Sequence, residues 1–139
     1  MRVVLDTNVL VAGLLSASAP PGWIVEAVLA GQLEPVFGVS IRQEYDDVLR
    51  RPEFHFSAAR VADLLAALDQ FAFHVPAPPP WPIALPDPDD EPFLAVAAAA
   101  ASVLVTGNLR HFPVASRRGV VVLMPRELVD HVKRQRPSP

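Results

Sequence analysis

The sequence predicts an α/β domain in which a mostly parallel sheet is covered by helices on both faces. Short apolar runs alternate along the chain with segments of helical periodicity, and these runs are apolar throughout, as is typical of strands buried on both sides. The chain has 139 residues, 51% of them hydrophobic, which suffices for one core and no second domain. We therefore expect a single domain over residues 1–132 and a frayed C-terminal tail over residues 133–139.

The composition excludes several classes of protein. The chain has no cysteine, so it can form neither a disulfide framework nor a thiolate metal site. No apolar stretch reaches the roughly 18 residues needed to cross a bilayer, and Asp6 interrupts the N-terminal apolar run that a signal peptide would need. We expect a soluble, cytoplasmic protein with no membrane partner. The net charge of −3 disfavours passive binding of nucleic acid, unless metal ions bridge an acidic pocket and a phosphate chain.

The first half of the chain is predicted to form two strands and four helices. The strands are Val3–Leu5 and Pro35–Val39, and the helices are residues 8–15, 23–30, 41–50 and a segment after Ser57. Gly31 is expected to end the second helix, and Ser40 and Gln43 have the spacing of a capping box before the third. The fourth helix carries one buried apolar stripe, formed by Val61, Leu64, Leu65, Leu68 and Phe71.

The second half begins with a proline-rich segment that cannot form a regular helix. This segment, residues 75–88, is expected to run as an extended connector inside the domain. A helix should start at Pro92, a favoured first-turn residue, and end near Ala101. Two strands and one helix complete the chain: residues 103–105, 119–124 and 125–132.

Polar side chains follow the predicted strands at the point where each strand ends. Asp6 follows the first strand, Glu44 lies one turn into the helix after the second, and Asn108 follows the Val103–Val105 strand. The helix that begins near Asp90 can turn a fourth group toward the same edge. Ligands of open parallel sheets sit beyond the carboxyl ends of the strands. Carboxylates that converge there repel one another unless a cation is bound, and oxygen ligands suit Mg²⁺ or Mn²⁺.

The chain contains three recognisable stretches in this order: "VVLDTNVLVAGL", "VSIRQEYDDVLRRPEF" and "DPDDEPFLAVAAAAASVLVTGNLRHFP". Together they resemble the PIN-domain nuclease family, most closely its branch of toxin components of bacterial toxin–antitoxin systems (VapC-like). The resemblance extends from Arg2 to about Leu128. It implies a three-layer α/β/α sandwich, with a mostly parallel sheet of about five short strands, and Mg²⁺- or Mn²⁺-dependent cleavage of RNA.

The resemblance also implies which residues form the site. By motif, Asp6 matches the first acidic position of the family and Glu44 the second. Asp90 matches the third, because it directly precedes a helix of the pattern Asp-x-x-Phe-Leu-Ala-x-Ala, with Asp89 as the alternative. These three would be the catalytic, metal-binding carboxylates. Asn108 stands at the fourth position, where many members have an acid, so whether one or two metal ions bind is left open.

Further roles follow from the same resemblance. Asn8 and Thr106 would hydrogen-bond the carboxylates and hold their orientation. Arg110 and His111 are candidates for binding substrate phosphate, although such a pair is as often a solvated loop.

Structural interpretations of the site residues remain open at this point. Asp6 and Asp90 each precede a predicted helix and could act only as its N-cap. Glu44 could be an ordinary exposed helix residue. Asn108 could be a turn residue after a glycine.

The sequence thus favours a metal-dependent endoribonuclease that is the toxin of a toxin–antitoxin pair, with RNA as substrate and an antitoxin and a second copy as protein partners. The alternative is a catalytically weak domain that acts by binding RNA or a partner protein. A phosphatase of the haloacid-dehalogenase type is disfavoured, since it needs a second Asp where this chain has Asn8. Trp23 and Trp81 could stack RNA bases, but burial or a partner contact is the commoner use of such residues.

Overall fold

A parallel sheet of five short strands forms the centre of the computed structural model, which describes residues 1–135. The strands are β1 (Arg2–Leu5), β2 (Glu34–Phe37), β3 (Phe73–His74), β4 (Val103–Val105) and β5 (Val122–Leu123). The helices are α1 (Thr7–Leu15), α2 (Pro20–Leu29), α3 (Val39–Leu49), α4 (Ala58–Phe71), α5 (Glu91–Ala99) and α6 (Pro125–Gln135). The strand order is β3–β2–β1–β4–β5 and every pairing is parallel, which confirms the predicted three-layer α/β/α sandwich.

The central strand β1 explains why the N-terminal apolar run contains no polar residue before Asp6. Val3, Val4 and Leu5 are fully buried, and β1 pairs with β2 on one side and with β4 on the other. Helix α5 packs against β1, β2 and β4. From Val3 onwards the strand has no solvent-facing side and its side chains are apolar on both faces, whereas Arg2 at its start is exposed.

Two helices begin two or three residues earlier than the sequence predicts. Helix α2 starts at Pro20 instead of residue 23. Proline has no backbone N–H, but in the first turn of a helix that group has no partner within the helix, so nothing is lost. Helix α3 starts at Val39 with Gly38 as its N-cap, so the expected strand to Val39 ends at Phe37. The predicted capping box is wrong, because Ser40 lies inside the first turn and no side chain caps this helix.

Two strands at the sheet margins also differ from the expectation. The two-residue strand β3 was not predicted, and β5 covers two residues instead of six. The buried stripe of α4 is as predicted except for the half-buried Phe71, and Ser57 caps this helix by accepting a hydrogen bond from the Arg60 amide.

The C-terminal helix α6 continues through Gln135, three residues beyond the predicted end at Val132. Residues 133–135 of the expected frayed tail are therefore helical, and residues 136–139 lie outside the described residues.

No single helix in residues 1–135 is long and apolar enough to cross a membrane. Helices α1 and α2 reach the required length only as a pair, with a bend of 100° between them.

Candidate metal centre

The Asp6 carboxylate lies at the end of the central strand and is almost completely buried. The Asp6 amide donates to the Val105 carbonyl at 2.9 Å, which extends the contact between β1 and β4 by one residue. Its side chain is 5% exposed and accepts a hydrogen bond from the Thr106 hydroxyl, with 2.8 Å between Thr106 Oγ1 and Asp6 Oδ2. Although Asp6 is the N-cap residue of α1, its side chain makes no capping hydrogen bond. Burial raises the pKa of Asp6, and the bond from Thr106 opposes that shift.

The Glu44 carboxylate is held by a residue that the sequence reasoning missed. Glu44 lies on α3, is half-buried, and accepts a hydrogen bond from the hydroxyl of Thr7, the first residue of α1. Burial raises the pKa of Glu44, the bond from Thr7 lowers it, and the negative charges of Asp6 and Asp89 raise it. Thr7, the residue next to Asp6, therefore contacts the second carboxylate directly.

Tyr45, the next residue on α3, fixes this helix against the central strand. Its hydroxyl donates a hydrogen bond to the Leu5 carbonyl, and its ring is fully buried. Burial raises the pKa of the Tyr45 hydroxyl well above its usual range. This buried hydrogen bond holds α3, and with it Glu44, in a fixed position relative to the end of β1.

Replacing Thr7 by valine should weaken binding of Mn²⁺ by about tenfold, the lower part of the range for partners of metal ligands. Valine keeps the shape of threonine but cannot donate to Glu44, so that carboxylate loses its fixed orientation. Calorimetric titration with Mn²⁺ measures the affinity, and Thr7→Ser, which keeps the hydroxyl, should bind nearly as the unaltered protein does. Equal affinities of Thr7→Val and the unaltered protein would exclude this orienting role.

Asp90 is the third carboxylate, and one of its oxygens has no hydrogen-bond donor. The residue is 8% exposed, and its Oδ2 is buried without a hydrogen bond. His111 Nδ1 lies 3.0 Å from this oxygen, an ion-pair distance, but without the alignment of a hydrogen bond. Burial raises the pKa of Asp90 to about 6, helped by the charges of Asp6, Asp87 and Glu44 and opposed by His111. Asp90 is therefore a buried carboxylate with one oxygen that accepts no hydrogen bond, and it lies among other negatively charged groups.

The neighbouring Asp89 differs from Asp90 in exposure. Asp89 is exposed, and its amide donates to Oδ1 of Asp87 at 3.0 Å in the short 3₁₀ turn Pro88–Asp90. Asp90 makes no side-chain capping bond to α5, so it is not acting only as a cap. Burial and the unbonded oxygen single out Asp90, rather than Asp89, as the third candidate ligand.

Asn108 uses its side chain to shape a turn. Its Oδ1 accepts a hydrogen bond from the Arg110 amide at 3.2 Å and caps the 3₁₀ turn Leu109–His111. Its own amide donates to Thr106 Oγ1 at 3.1 Å. The amide oxygen expected at the fourth ligand position thus already has a partner in the backbone. Arg110 is exposed on this turn, whereas His111 reaches the carboxylates.

The two residues expected to orient the carboxylates behave differently. Thr106, fully buried, donates to Asp6. Asn8 acts on Asp6 through its backbone amide, which lowers the pKa of that carboxyl, while its side-chain Oδ1 accepts a hydrogen bond from the Gly107 amide at 3.1 Å and connects α1 to the loop after β4.

The chemistry of the three carboxylates, Asp6, Glu44 and Asp90, suits a hard divalent cation. All three groups are carboxylates, each has a raised pKa, and one buried oxygen lacks a partner. Oxygen ligands of this kind suit Mg²⁺ and Mn²⁺. In residues 1–135, no three acidic or histidine side chains are arranged closely enough to hold one ion as they stand. The fit therefore rests on the charge and type of the donors.

Comparison with known proteins gives one family. The sequence profile of the PIN domain matches residues 2–110, well over half of the chain. No curated protein sequence matches the chain. The matched segment includes all three carboxylates and Asn108.

Proposed function

The chain belongs to the PIN domain family, and we propose that it is a Mg²⁺- or Mn²⁺-dependent endoribonuclease that hydrolyses phosphodiester bonds of RNA. PIN domains are generally nucleases and typically use divalent metal ions. The all-parallel sheet of this chain agrees with that family. The family establishes the class of fold, and the residues at the sheet edge support the choice of chemistry.

One observation carries the proposal: three buried or half-buried carboxylates share the C-terminal edge of the sheet, and their charges raise the pKa of two of them. The charge of Asp6 raises the pKa of both Glu44 and Asp90, so the three groups interact electrostatically. Buried anions are costly unless they are paired or coordinate a metal. A bound divalent cation would balance this negative charge, which supports a metal-dependent hydrolase.

The proposed mechanism assigns positions and charges to residues of this chain. Asp6, Glu44 and Asp90 would hold the ion. When bound, Mg²⁺ or Mn²⁺ supplies positive charge that lowers the pKa of a water molecule and balances charge developing on the phosphate. Thr106 fixes the orientation of Asp6, and Thr7 that of Glu44. His111, beside Asp90, can place a hydrogen-bond donor near the phosphate. No side chain has to act as a nucleophile.

The side chain of Asn108 favours a second candidate function. Because its oxygen caps a turn and carries no charge, the site has three carboxylates where many family members have four. A site with weaker metal affinity could bind RNA or a protein partner without efficient cleavage. Cleavage assays separate the two functions.

The proposed activity is tested with labelled single-stranded RNA and single-stranded DNA of the same sequence. The full-length protein is incubated with each in MgCl₂, in MnCl₂ or in EDTA. We expect cleavage of RNA with either metal, none in EDTA, and recovery when metal is added back. Binding of RNA without cleavage in both metals would favour the second candidate, and equal cleavage in EDTA would exclude the metal-dependent mechanism.

We further propose that the protein acts in the cell as the toxin of a toxin–antitoxin pair. The resemblance of its three motifs to that branch supports this role. A toxin would be bound by an antitoxin and would form a homodimer, and the 63% exposed Leu15 at the end of α1 offers apolar surface for such contacts. Induced expression in a bacterial host should arrest growth, and co-expression of the adjacent reading frame should restore it. Normal growth on induction would exclude the toxin role.

A further inference from the structure

An apolar cavity lies at the same edge of the sheet as the carboxylates. Its volume is about 630 Å³, within the roughly 300–1,000 Å³ typical of small-molecule pockets. It is bounded by the start of α3, by α5 and by the connector at residues 75–81, and we call it the proline groove. Its apolar walls include Val39, Pro79, Trp81, Pro92, Ala95 and Val96. Val39 is 87% exposed, so an apolar side chain stands uncovered at the groove.

The proline groove adjoins a smaller cavity that contains Glu44, one of the three candidate metal ligands. This smaller cavity of about 240 Å³ is lined by Glu44 and Asp89, and it shares Ser40, Pro88 and Pro92 with the groove. An RNA chain with a phosphate beside Glu44 can therefore place its neighbouring nucleotide in the groove. We propose that the proline groove binds a nucleobase of single-stranded RNA next to the cleaved phosphate. This inference rests on the proposed ribonuclease function and specifies how its substrate is held.

Trp81 is positioned to act as the stacking surface. Its indole Nε1 donates to the Ser116 carbonyl at 2.9 Å, and its ring is half-buried against the core. The ring is thus held in place before any ligand binds. Aromatic rings held in this way stack unpaired bases of any sequence.

The charge of the groove favours a base over the phosphate backbone. Among the described residues that line it, Glu91 alone is charged, and none is lysine or arginine. Phosphates are attracted by cationic side chains, and the groove offers none. Ser40 and Gln43 supply polar groups that can contact the edge of a base. A nucleobase that extends from the cavity beside Glu44 into the groove would contact apolar side chains and the fixed ring of Trp81.

The test is an NMR titration of the full-length protein in MgCl₂ with adenosine 5′-monophosphate, which contains no phosphodiester to cleave. The chain has two tryptophans, so two indole signals are expected, and Trp81→Phe identifies that of Trp81. Adenosine 5′-monophosphate should shift the Trp81 signal and leave the Trp23 signal in place. Ribose 5-phosphate, which lacks the base, should shift neither. Equal effects of the two ligands, or no effect of either, would overturn the inference.

Cleavage kinetics provide the second readout. Trp81→Ala should raise KM for single-stranded RNA by about tenfold with little change in kcat, as expected for the loss of one stacked base. Trp81→Phe keeps a ring but loses the bond to Ser116, and it should retain most of the affinity. If Trp81→Phe is as weak as Trp81→Ala, the ring does not stack a base and the inference fails.

Two other outcomes are also decisive. A Trp81 signal that moves with protein concentration, without ligand, would assign the groove to a second copy of the chain and overturn the inference. Absence of RNA cleavage by the unaltered protein would contradict the proposed function, while the nucleotide titration would still decide the groove independently.

Discussion

Replacement of Asp6 by asparagine is expected to reduce metal-dependent RNA cleavage by at least about a hundredfold, because a bound metal supplies several kcal/mol of charge stabilisation. Asp6 is the most deeply buried carboxylate of the three and directly follows the central strand. Asparagine has nearly the same shape, and its oxygen can still accept the hydrogen bond from Thr106. The fold should therefore persist while the negative charge is lost.

The measurement is the initial rate of cleavage of a labelled single-stranded RNA in MnCl₂. Asp47→Asn provides a matched control, because Asp47 is exposed on α3 and pairs only locally with Gln43. This control should cleave at the rate of the unaltered protein, and both variants should unfold at similar temperatures. Asp6→Asn that cleaves as fast as Asp47→Asn would remove Asp6 from the mechanism.

Replacement of Asp90 by asparagine is expected to stabilise the metal-free protein at neutral pH. The pKa of Asp90 is raised from 3.8 to about 6, first because of its burial and then because of neighbouring carboxylates. A folded-state pKa above the unfolded value means that stability is complete below about pH 4 and is lost as the pH rises through about 6. Allowing for solvent screening, we expect a gain of about 1 kcal/mol at pH 7.

Thermal unfolding in EDTA across pH 4 to pH 7 measures this effect. The two proteins should have similar unfolding temperatures near pH 4, and Asp90→Asn should unfold a few degrees higher at pH 7. Added Mg²⁺ should raise the unfolding temperature of the unaltered protein more than that of the variant, because a ligand stabilises the state that binds it. A variant that is less stable at pH 7 in EDTA would show that Asp90 is satisfied by its present surroundings.

The interior of the fold was predictable because buried segments are recognised directly by the pattern of their apolar residues. The apolar run Val3–Leu5 and the stripe on α4 are continuous and strongly patterned, so their assignment needed no knowledge of distant contacts. Strand β3 was missed because two residues at a sheet margin, one of them the exposed His74, produce no pattern. The start of α3 was misplaced because Ser40 and Gln43 imitate a capping box, while Gly38 is the actual N-cap.

The candidate site was predictable in its residue types and less so in its contacts. Asp6 directly follows a strand, Glu44 lies in the helix after a strand, and Asp90 directly precedes a helix, all of which is visible along the chain. The contacts that orient them are not: Thr7 reaches Glu44 across 37 positions, and Tyr45 reaches Leu5 across 40. Asp89 and Asp90 are chemically identical neighbours, and only their different burial separates them. The partner of the Asn8 side chain, the Gly107 amide, was not predictable because it depends on how the loop after β4 folds.

Direct titration with Mn²⁺ tests whether Asp6, Glu44 and Asp90 form one cation site. Free Mn²⁺ is followed by electron paramagnetic resonance as it is added to the unaltered protein, Asp6→Asn and Asp47→Asn. We expect saturable binding to the unaltered protein and to Asp47→Asn at pH 7. Binding should be weaker at pH 5, where Asp90 takes up a proton, and at least tenfold weaker for Asp6→Asn. No saturable binding to the unaltered protein, or equal binding to all three proteins, would contradict a cation site formed by these carboxylates.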